Sequence, residues 1–255
     1  MNAHTLLNPR SAKSNKTLSS DSLVHPISGV TPFTTIDFPN RLAAVFYAQG
    51  CPWRCRYCFN SHLWPLQEGK FDFDSDEIQK FLSLRQGFLD GIVFSGGEPT
   101  LHPQLASWMQ RVKEMGYEVG LHTSGMFPER LEEVLPLCDW VGMDLKAPFD
   151  HYERITQVER SGESACKSVS MIVKSGVDYE FRTTVHPLLL SEEDLLQMGR
   201  ELSSLGAECF VLQEFRRSGC NDDELCNERL PALFISRSVH EALGHLFKTF
   251  FLRHE

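Results

Sequence analysis

The chain has no run of lysine or arginine longer than two residues, and its acids outnumber its bases, 34 to 25, for a formal net charge of −9. A broad nucleic-acid or anionic-membrane surface needs a basic footprint, so neither is expected as a partner. Long apolar runs are missing as well. Nothing approaches the roughly 18 to 20 uninterrupted apolar residues of a spanning helix, and the N-terminus lacks the apolar core of a secretory signal. The expectation is a soluble, cytoplasmic protein. Cysteine is sparse, eight in 255 residues. In a reducing compartment, closely spaced cysteines are metal ligands more often than disulfides, so the even total does not argue for a disulfide framework.

What is present is a chain long enough, and at 42% hydrophobic apolar enough, to bury a sizeable core. Residues 1–25 are rich in Ser, Asn and Lys and too poor in apolar residues to pack; they read as a disordered tail, and 26–255 as one domain. From residue 42 onward, short strand-like apolar runs alternate with helical patterns, six times in all. The strands expected are 42–48, 91–96, 117–123, 139–145, 177–185 and 208–214. Asp74 and Glu77 form a capping-box start, and Leu105, Trp108, Met109 and Val112 carry helical spacing closed by Gly116. Ser191 opens another helix, with Leu195, Met198 and Leu202 inward, and Gly206 stops it. A long last helix is expected through Val239, Leu243, Leu246 and Phe250. Six βα units are too few for a closed eight-fold barrel and suit an open, partial (βα)6 barrel of TIM type, with its chemistry at the C-terminal ends of the strands.

Three of the eight cysteines crowd into GCPWRCRYCFN, residues 50–60, directly after the first of these strands. The spacing C-x3-C-x2-C lets one loop curl around a metal centre, with Gly50 and Pro52 shaping the turn. Three thiolates leave one position of a four-iron cluster, or of a tetrahedral zinc, without a protein ligand, and an open position is where substrate chemistry can occur. A zinc-stabilised interaction module, with His62 as fourth ligand, is the competing reading. Zinc loops more often use two C-x2-C pairs, and Tyr57 before the last cysteine suits a small zinc turn poorly.

CPWRCRYC resembles the cluster motif of the radical S-adenosylmethionine superfamily, and FSGGEPTLHP at 94–103 resembles that family's GGEP segment at the end of its second strand. MDLKAP (143–148) and FRTTVHP (181–187) look like later cofactor-contacting strands of the glycyl-radical-enzyme activases. Residues 29–60 and VLQEFRRSGC at 211–220 are most similar to activating proteins of the anaerobic ribonucleotide reductase.

The resemblance implies one 4Fe–4S cluster on Cys51, Cys55 and Cys58. Its fourth iron binds S-adenosyl-L-methionine, which the reduced cluster cleaves to methionine and a 5′-deoxyadenosyl radical. It implies that Gly96 and Gly97 let backbone approach the cofactor's amino group and that Glu98 adds charge to that ammonium. Lys146 is implied for the cofactor carboxylate, Asp144 for its amino or ribose side, and Arg182 as a second cation. Asp144, Lys146 and Arg182 could equally form an ion-pair network that stabilises the barrel. Thr123 and Thr184 are implied hydroxyl contacts; Tyr57, Asn60 and Gln213 are further candidates near adenine or ribose.

The implied partners are a glycyl radical enzyme, most like anaerobic ribonucleotide reductase, and an electron donor such as flavodoxin or ferredoxin. The alternative is a radical enzyme acting on a small molecule, as a deazapurine-ring-forming synthase does, or on a peptide. The sequence departs from the activases at Phe59, where a His is common, and at His122, where some relatives carry an acid. Residues 59–90 contain no cysteine, so the ferredoxin-like insert of larger activases is not expected. Cys209, Cys220 and Cys226 leave a second metal site open, Cys138 and Cys166 read as core or helix residues, and His102 as part of a turn.

Overall fold

The structure, a computed structural model, describes residues 26–66, 73–230 and 235–254. The tail expected over 1–25 lies outside the described residues. Among the described residues, eight strands form a single open sheet in chain order: β1 (Ile27–Thr34), β2 (Ala43–Ala48), β3 (Gly91–Gly96), β4 (Glu118–Thr123), β5 (Trp140–Asp144), β6 (Asp178–Val185), β7 (Cys209–Glu214) and β8 (Thr249–Arg253). Strands β2 to β8 are parallel, and β1 runs antiparallel to β2.

The helices are α1 (Ser75–Arg85), α2 (Leu105–Glu114), α3 (Pro128–Val134), α4 (Glu153–Thr156), α5 (Ser161–Ser175), α6 (Glu192–Ser204), α7 (Asp223–Asn227) and α8 (Arg237–Gly244). The six strands expected from sequence are β2 to β7. Asp74 caps α1 and Ser191 caps α6, each in a reciprocal box with Glu77 and Asp194, a motif worth about 1 kcal/mol per cap.

Two strands were not anticipated. β1 begins in a Gly- and Thr-rich stretch with two register irregularities, which blurs its alternation. The long last helix is corrected: α8 ends at Gly244, and Phe250 lies in β8, beside Phe210 of β7. A run of eight residues with two buried positions fits either period, and the turn at Gly244–Leu246 decides for the strand.

Strand alternation divides the sheet into two faces. Ala44, Phe46, Ile92, Phe94, Val119, Leu121, Val141, Met143, Phe181 and Phe210 pack outward under the helices, with Ile78, Trp108, Met109, Val169 and Leu195 among the helical partners. The inward face is different. Phe38, from the β1–β2 connection, plugs its lower end with Ala43, Val45, Val93 and Trp140. A side chain at Gly91 would lie 2.8 Å from the Phe38 ring, so this glycine is what admits the plug. Above the plug, register places Tyr47 beside Ser95, His122 beside Gly142, Asp144 beside Arg182 and Thr184 beside Gln213. Polar residues thus rise from an apolar floor to the C-terminal ends of the strands.

Candidate active site

Gly50, at φ +96°, turns the chain out of β2 into the cysteine loop. The loop is pinned by backbone bonds from Gly50 to the Leu63 carbonyl at 2.7 Å, from Cys51 to Trp64 at 3.2 Å and from Arg54 to the Thr156 carbonyl of α4 at 2.9 Å. Its outer side is clasped by the segment after β7. Arg56 donates from Nε to Asp222 at 2.7 Å and from Nη2 to Glu224 at 2.6 Å, and the Cys220 thiol reaches the Arg56 carbonyl at 3.5 Å.

Cys55 is buried and Cys51 and Cys58 are half-buried; all three are free thiols. Burial pushes Cys51 up to about 12 and Cys55 up to about 11, and raises Cys58. Among the described residues, no group of three or more His, Cys, Asp or Glu is arranged to hold a single metal ion. A zinc ion needs its sulfurs to converge within one shell about 2.3 Å in radius, whereas a four-iron cluster binds each thiolate through a different iron. The donor set of three clustered, solvent-poor thiols therefore fits the cluster better than the zinc knuckle. Cys209 opens β7 at the N-terminal end of the strand, whereas Cys220 and Cys226 follow its C-terminal end beside the cysteine loop, so these three do not form a joint site.

At the end of β3 the structure changes the reasons given for three residues. A Cβ on Gly96 would fall 2.3 Å from the Ala48 nitrogen, and one on Gly97 2.3 Å from the Gly50 carbonyl oxygen. Both glycines bring β3 against the root of the cysteine loop, and Gly97 and Glu98 donate backbone bonds to Ala48 and Gly50 at 2.8 and 2.9 Å. Glu98 is fully buried, and its carboxylate is enclosed by its own chain. It accepts from the Thr100 amide and hydroxyl at 3.1 and 2.6 Å, the Thr123 hydroxyl at 2.7 Å, and the Ser124 amide and hydroxyl at 2.8 and 2.6 Å. The Thr123 hydroxyl also accepts from the Gly125 amide, so Thr123 belongs to this buttress. His102, the turn residue, bonds the Gln49 carbonyl at 2.7 Å and so ties the same segment to β2.

Across the mouth, Arg182 donates to Asp144 at 2.6 Å, and the Lys146 ammonium stands 3.9 Å from the other Asp144 oxygen. Burial alone would raise Asp144, but the Arg182 guanidinium and the Lys146 ammonium hold it well below the usual carboxylate range. Burial alone would lower Lys146, yet Tyr57 and Asp144 leave it raised. The Lys146 ammonium lies 5.4 Å from the centre of the Tyr57 ring, a cation–π contact that binds this cluster to the cysteine loop. His122 bonds the Asp37 carbonyl at 2.9 Å below; burial and Arg182 push it down to about 4, so it sits as a neutral ring.

Thr184 accepts from Gln213 at 2.9 Å, and Asn60 is half-buried at the start of a helical turn, where its carbonyl accepts from Leu63. The strand ends thus bring Cys51, Cys55, Cys58, Tyr57, Asp144, Lys146 and Arg182 together, while Glu98 and Thr123 face inward beneath the β3 turn. Sequence reasoning missed Tyr152. It is 1% exposed, packs edge-on against Trp53 and stacks on Phe149. The pair Phe149 and Tyr152, three apart just after MDLKAP, was the available signal.

The hydroxyls of Tyr57 and Tyr152 are buried with no hydrogen-bond partner, and they flank Lys146. Buried orphan hydroxyls, a buried cation and three neighbouring thiols together suit a polar cofactor held on an iron–sulfur cluster. The Radical SAM superfamily model matches residues 45–202. The chain belongs to the radical SAM superfamily. Members of this superfamily use a 4Fe–4S cluster and S-adenosylmethionine, and so does this enzyme.

Over 212 residues it is 32% identical to a protein of Methanocaldococcus jannaschii named as a glycyl-radical enzyme activating enzyme, covering 80% of this chain and 85% of that one. It is 30% identical over 210 residues to the pyruvate formate-lyase-activating enzyme of Clostridium pasteurianum, covering 79% and 86%. The fold is similar to that of Streptococcus suis SuiB, with TM-score 0.62 over 83% of this chain and 48% of that one at 12% identity. It is also similar to that of Escherichia coli QueE, with TM-score 0.52 over 89% and 93% at 16% identity. Both likenesses are of the fold. No helix among the described residues is long and apolar enough to cross a membrane.

Proposed function

We propose that this enzyme activates a glycyl radical enzyme, an anaerobic ribonucleotide reductase by the resemblance of residues 29–60 and 211–220, with a flavodoxin or ferredoxin as electron donor. The observation that carries the reading is the meeting of Cys51, Cys55 and Cys58 with the Asp144–Lys146–Arg182 cluster at the C-terminal ends of the strands of an open sheet. Cys51, Cys55 and Cys58 would hold the cluster. When bound, the reduced cluster supplies the electron that cleaves S-adenosylmethionine to methionine and a 5′-deoxyadenosyl radical. Lys146 would meet the cofactor carboxylate; Asp144, kept ionised by Arg182, would accept from its amino or ribose groups. Gly96 and Gly97 would set the backbone that faces the amino group, and Tyr57 and Asn60 would border the nucleoside, with Thr184 beside them.

A protein substrate is supported by the open architecture. A groove of about 350 Å³ runs beside the cysteine loop, bordered by Trp53, Met126, Phe127, Val158, Arg160 and Lys167. The test is anaerobic. Reconstituted, reduced protein is given S-adenosylmethionine and anaerobic ribonucleotide reductase; 5′-deoxyadenosine and a glycyl radical signal on the reductase are expected, and Cys58→Ala gives neither. Deoxyadenosine without a glycyl radical on any candidate enzyme would turn the reading toward a small-molecule or peptide substrate. A colourless, zinc-loaded protein would end it.

A further inference from the structure

We infer that Tyr152 is a cofactor-binding residue whose hydroxyl donates a hydrogen bond to the carboxylate of bound S-adenosylmethionine, beside Lys146; this rests on the function proposed above. Donors and acceptors around Lys146 do not balance. The Lys146 side chain is 12% exposed, and its nearest carboxylate oxygen stands at 3.9 Å, outside hydrogen-bond distance. The Tyr57 and Tyr152 hydroxyls around it have no acceptor for their protons either, the Tyr152 oxygen lying against the Lys146 backbone amide. An ammonium carries three donors and each phenol one, so the pocket holds an excess of donors with one positive charge at its centre. A carboxylate, acceptor-only and able to take about four hydrogen bonds, is the group this excess describes.

Tyr152 rather than Tyr57 is assigned to the carboxylate because of where its hydroxyl lies. It stands beside the backbone of Lys146 itself, whereas Tyr57 turns its ring face to the ammonium. The phenol is also held firmly. Its ring is clamped between Phe149 and Trp53, and the residues next to it are tethered to α6: His151 and Arg154 bond the Asp194 carboxylate at 3.2 and 2.9 Å. The Arg54–Thr156 backbone bond joins the same short helix to the cysteine loop. A donor so fixed needs no reordering when the ligand arrives.

The experiment measures equilibrium binding to the anaerobic, cluster-loaded but oxidised protein, in which no turnover occurs, together with iron content and melting temperature. Tyr152→Phe removes one oxygen atom. It is expected to weaken S-adenosylmethionine roughly tenfold or more, the loss of a hydrogen bond to a charged acceptor. It should leave decarboxylated S-adenosylmethionine, which keeps the amino group and the sulfonium but lacks the carboxylate, bound as in the wild type. Iron content stays equal, and the ligand-free variant melts no lower than the wild type, because an unpartnered buried hydroxyl has been removed.

Equal weakening of both ligands would overturn the carboxylate assignment. Unchanged binding of S-adenosylmethionine, or a variant that loses iron or melts earlier while binding normally, would make the phenol a joint of the cysteine loop and overturn the inference. A wild type that binds no S-adenosylmethionine would instead defeat the proposed function, and this inference with it.

Discussion

On the β3 side of the site a single buried carboxylate, Glu98, accepts five hydrogen bonds, whereas on the β5 side two buried hydroxyls have no partner and a lysine stands 3.9 Å from its counter-ion. Both regions are polar, and both lie at the strand ends. The first is saturated by its own chain, and each of its polar atoms holds a turn in place. The second leaves donors over, at a cost of about 1–3 kcal/mol for each unmatched buried group. A chain carries that cost where a ligand will later supply the acceptor, so the contrast separates what builds the mouth from what receives the cofactor.

The largest expected effect falls on the saturated side. Glu98→Ala leaves the donors of Thr100, Thr123 and Ser124 buried without an acceptor, and should lower stability by about 3–5 kcal/mol in urea unfolding. Glu98→Gln keeps one acceptor oxygen and turns an amide toward two donors, so about half that loss is expected. Were Glu98→Ala instead to fold normally and lose only cofactor affinity, the division between the two sides would fail.

A smaller effect separates the tether of Tyr152 from both. Burial would raise Asp194, but bonds from the Ser191 amide and hydroxyl, with His151 and Arg154, bring it down to about 2. Its folded value lies below the ordinary carboxylate value of 3.8, so the stability it contributes is present in full above about pH 4 and is lost as pH falls through about 2. The difference corresponds to about 2 kcal/mol. In acid unfolding, Asp194→Asn should flatten the slope between pH 4 and pH 2 and leave other carboxylates to account for what remains. An unaltered slope would mean that the α6 cap does not anchor the Tyr152 segment.

Sequence pattern made the parallel core readable because each of β2 to β7 is an apolar run buried on its helix-covered face and closed by a turn residue. The cysteine loop stood out by its spacing, which left an iron cluster and zinc both open until the family resemblance favoured the cluster. What failed has physical reasons. β8 carries Phe250 at a spacing compatible with α8, and only the chain reversal after Gly244 distinguishes them. The close approach of Ala48 and Gly50 to Gly96 and Gly97 is a contact between strands that no local pattern announces. The five donors around Glu98 come from two separate turns, so no local pattern announces them either. Tyr152 left only its spacing from Phe149 as a signal, because its importance lies in a missing partner, and absence of a hydrogen bond leaves no mark on a sequence.

Lys146 tests the unsaturated side with the least structural disturbance. Removing one member of a buried ion pair is ordinarily severe, at about 3–5 kcal/mol, because the other charge is stranded. Here Asp144 keeps Arg182 at 2.6 Å when Lys146 is removed, so no charge is left alone. The ammonium's own desolvation is relieved at the same time. Lys146→Ala should therefore change stability by no more than about 1 kcal/mol and leave iron content as in the wild type. Binding of S-adenosylmethionine, measured on the same oxidised holoenzyme, should fall at least tenfold. A loss of iron or of several kcal/mol would show Asp144, Lys146 and Arg182 to be a stabilising network, as complete within itself as Glu98 and its donors, and the asymmetry of the site would disappear.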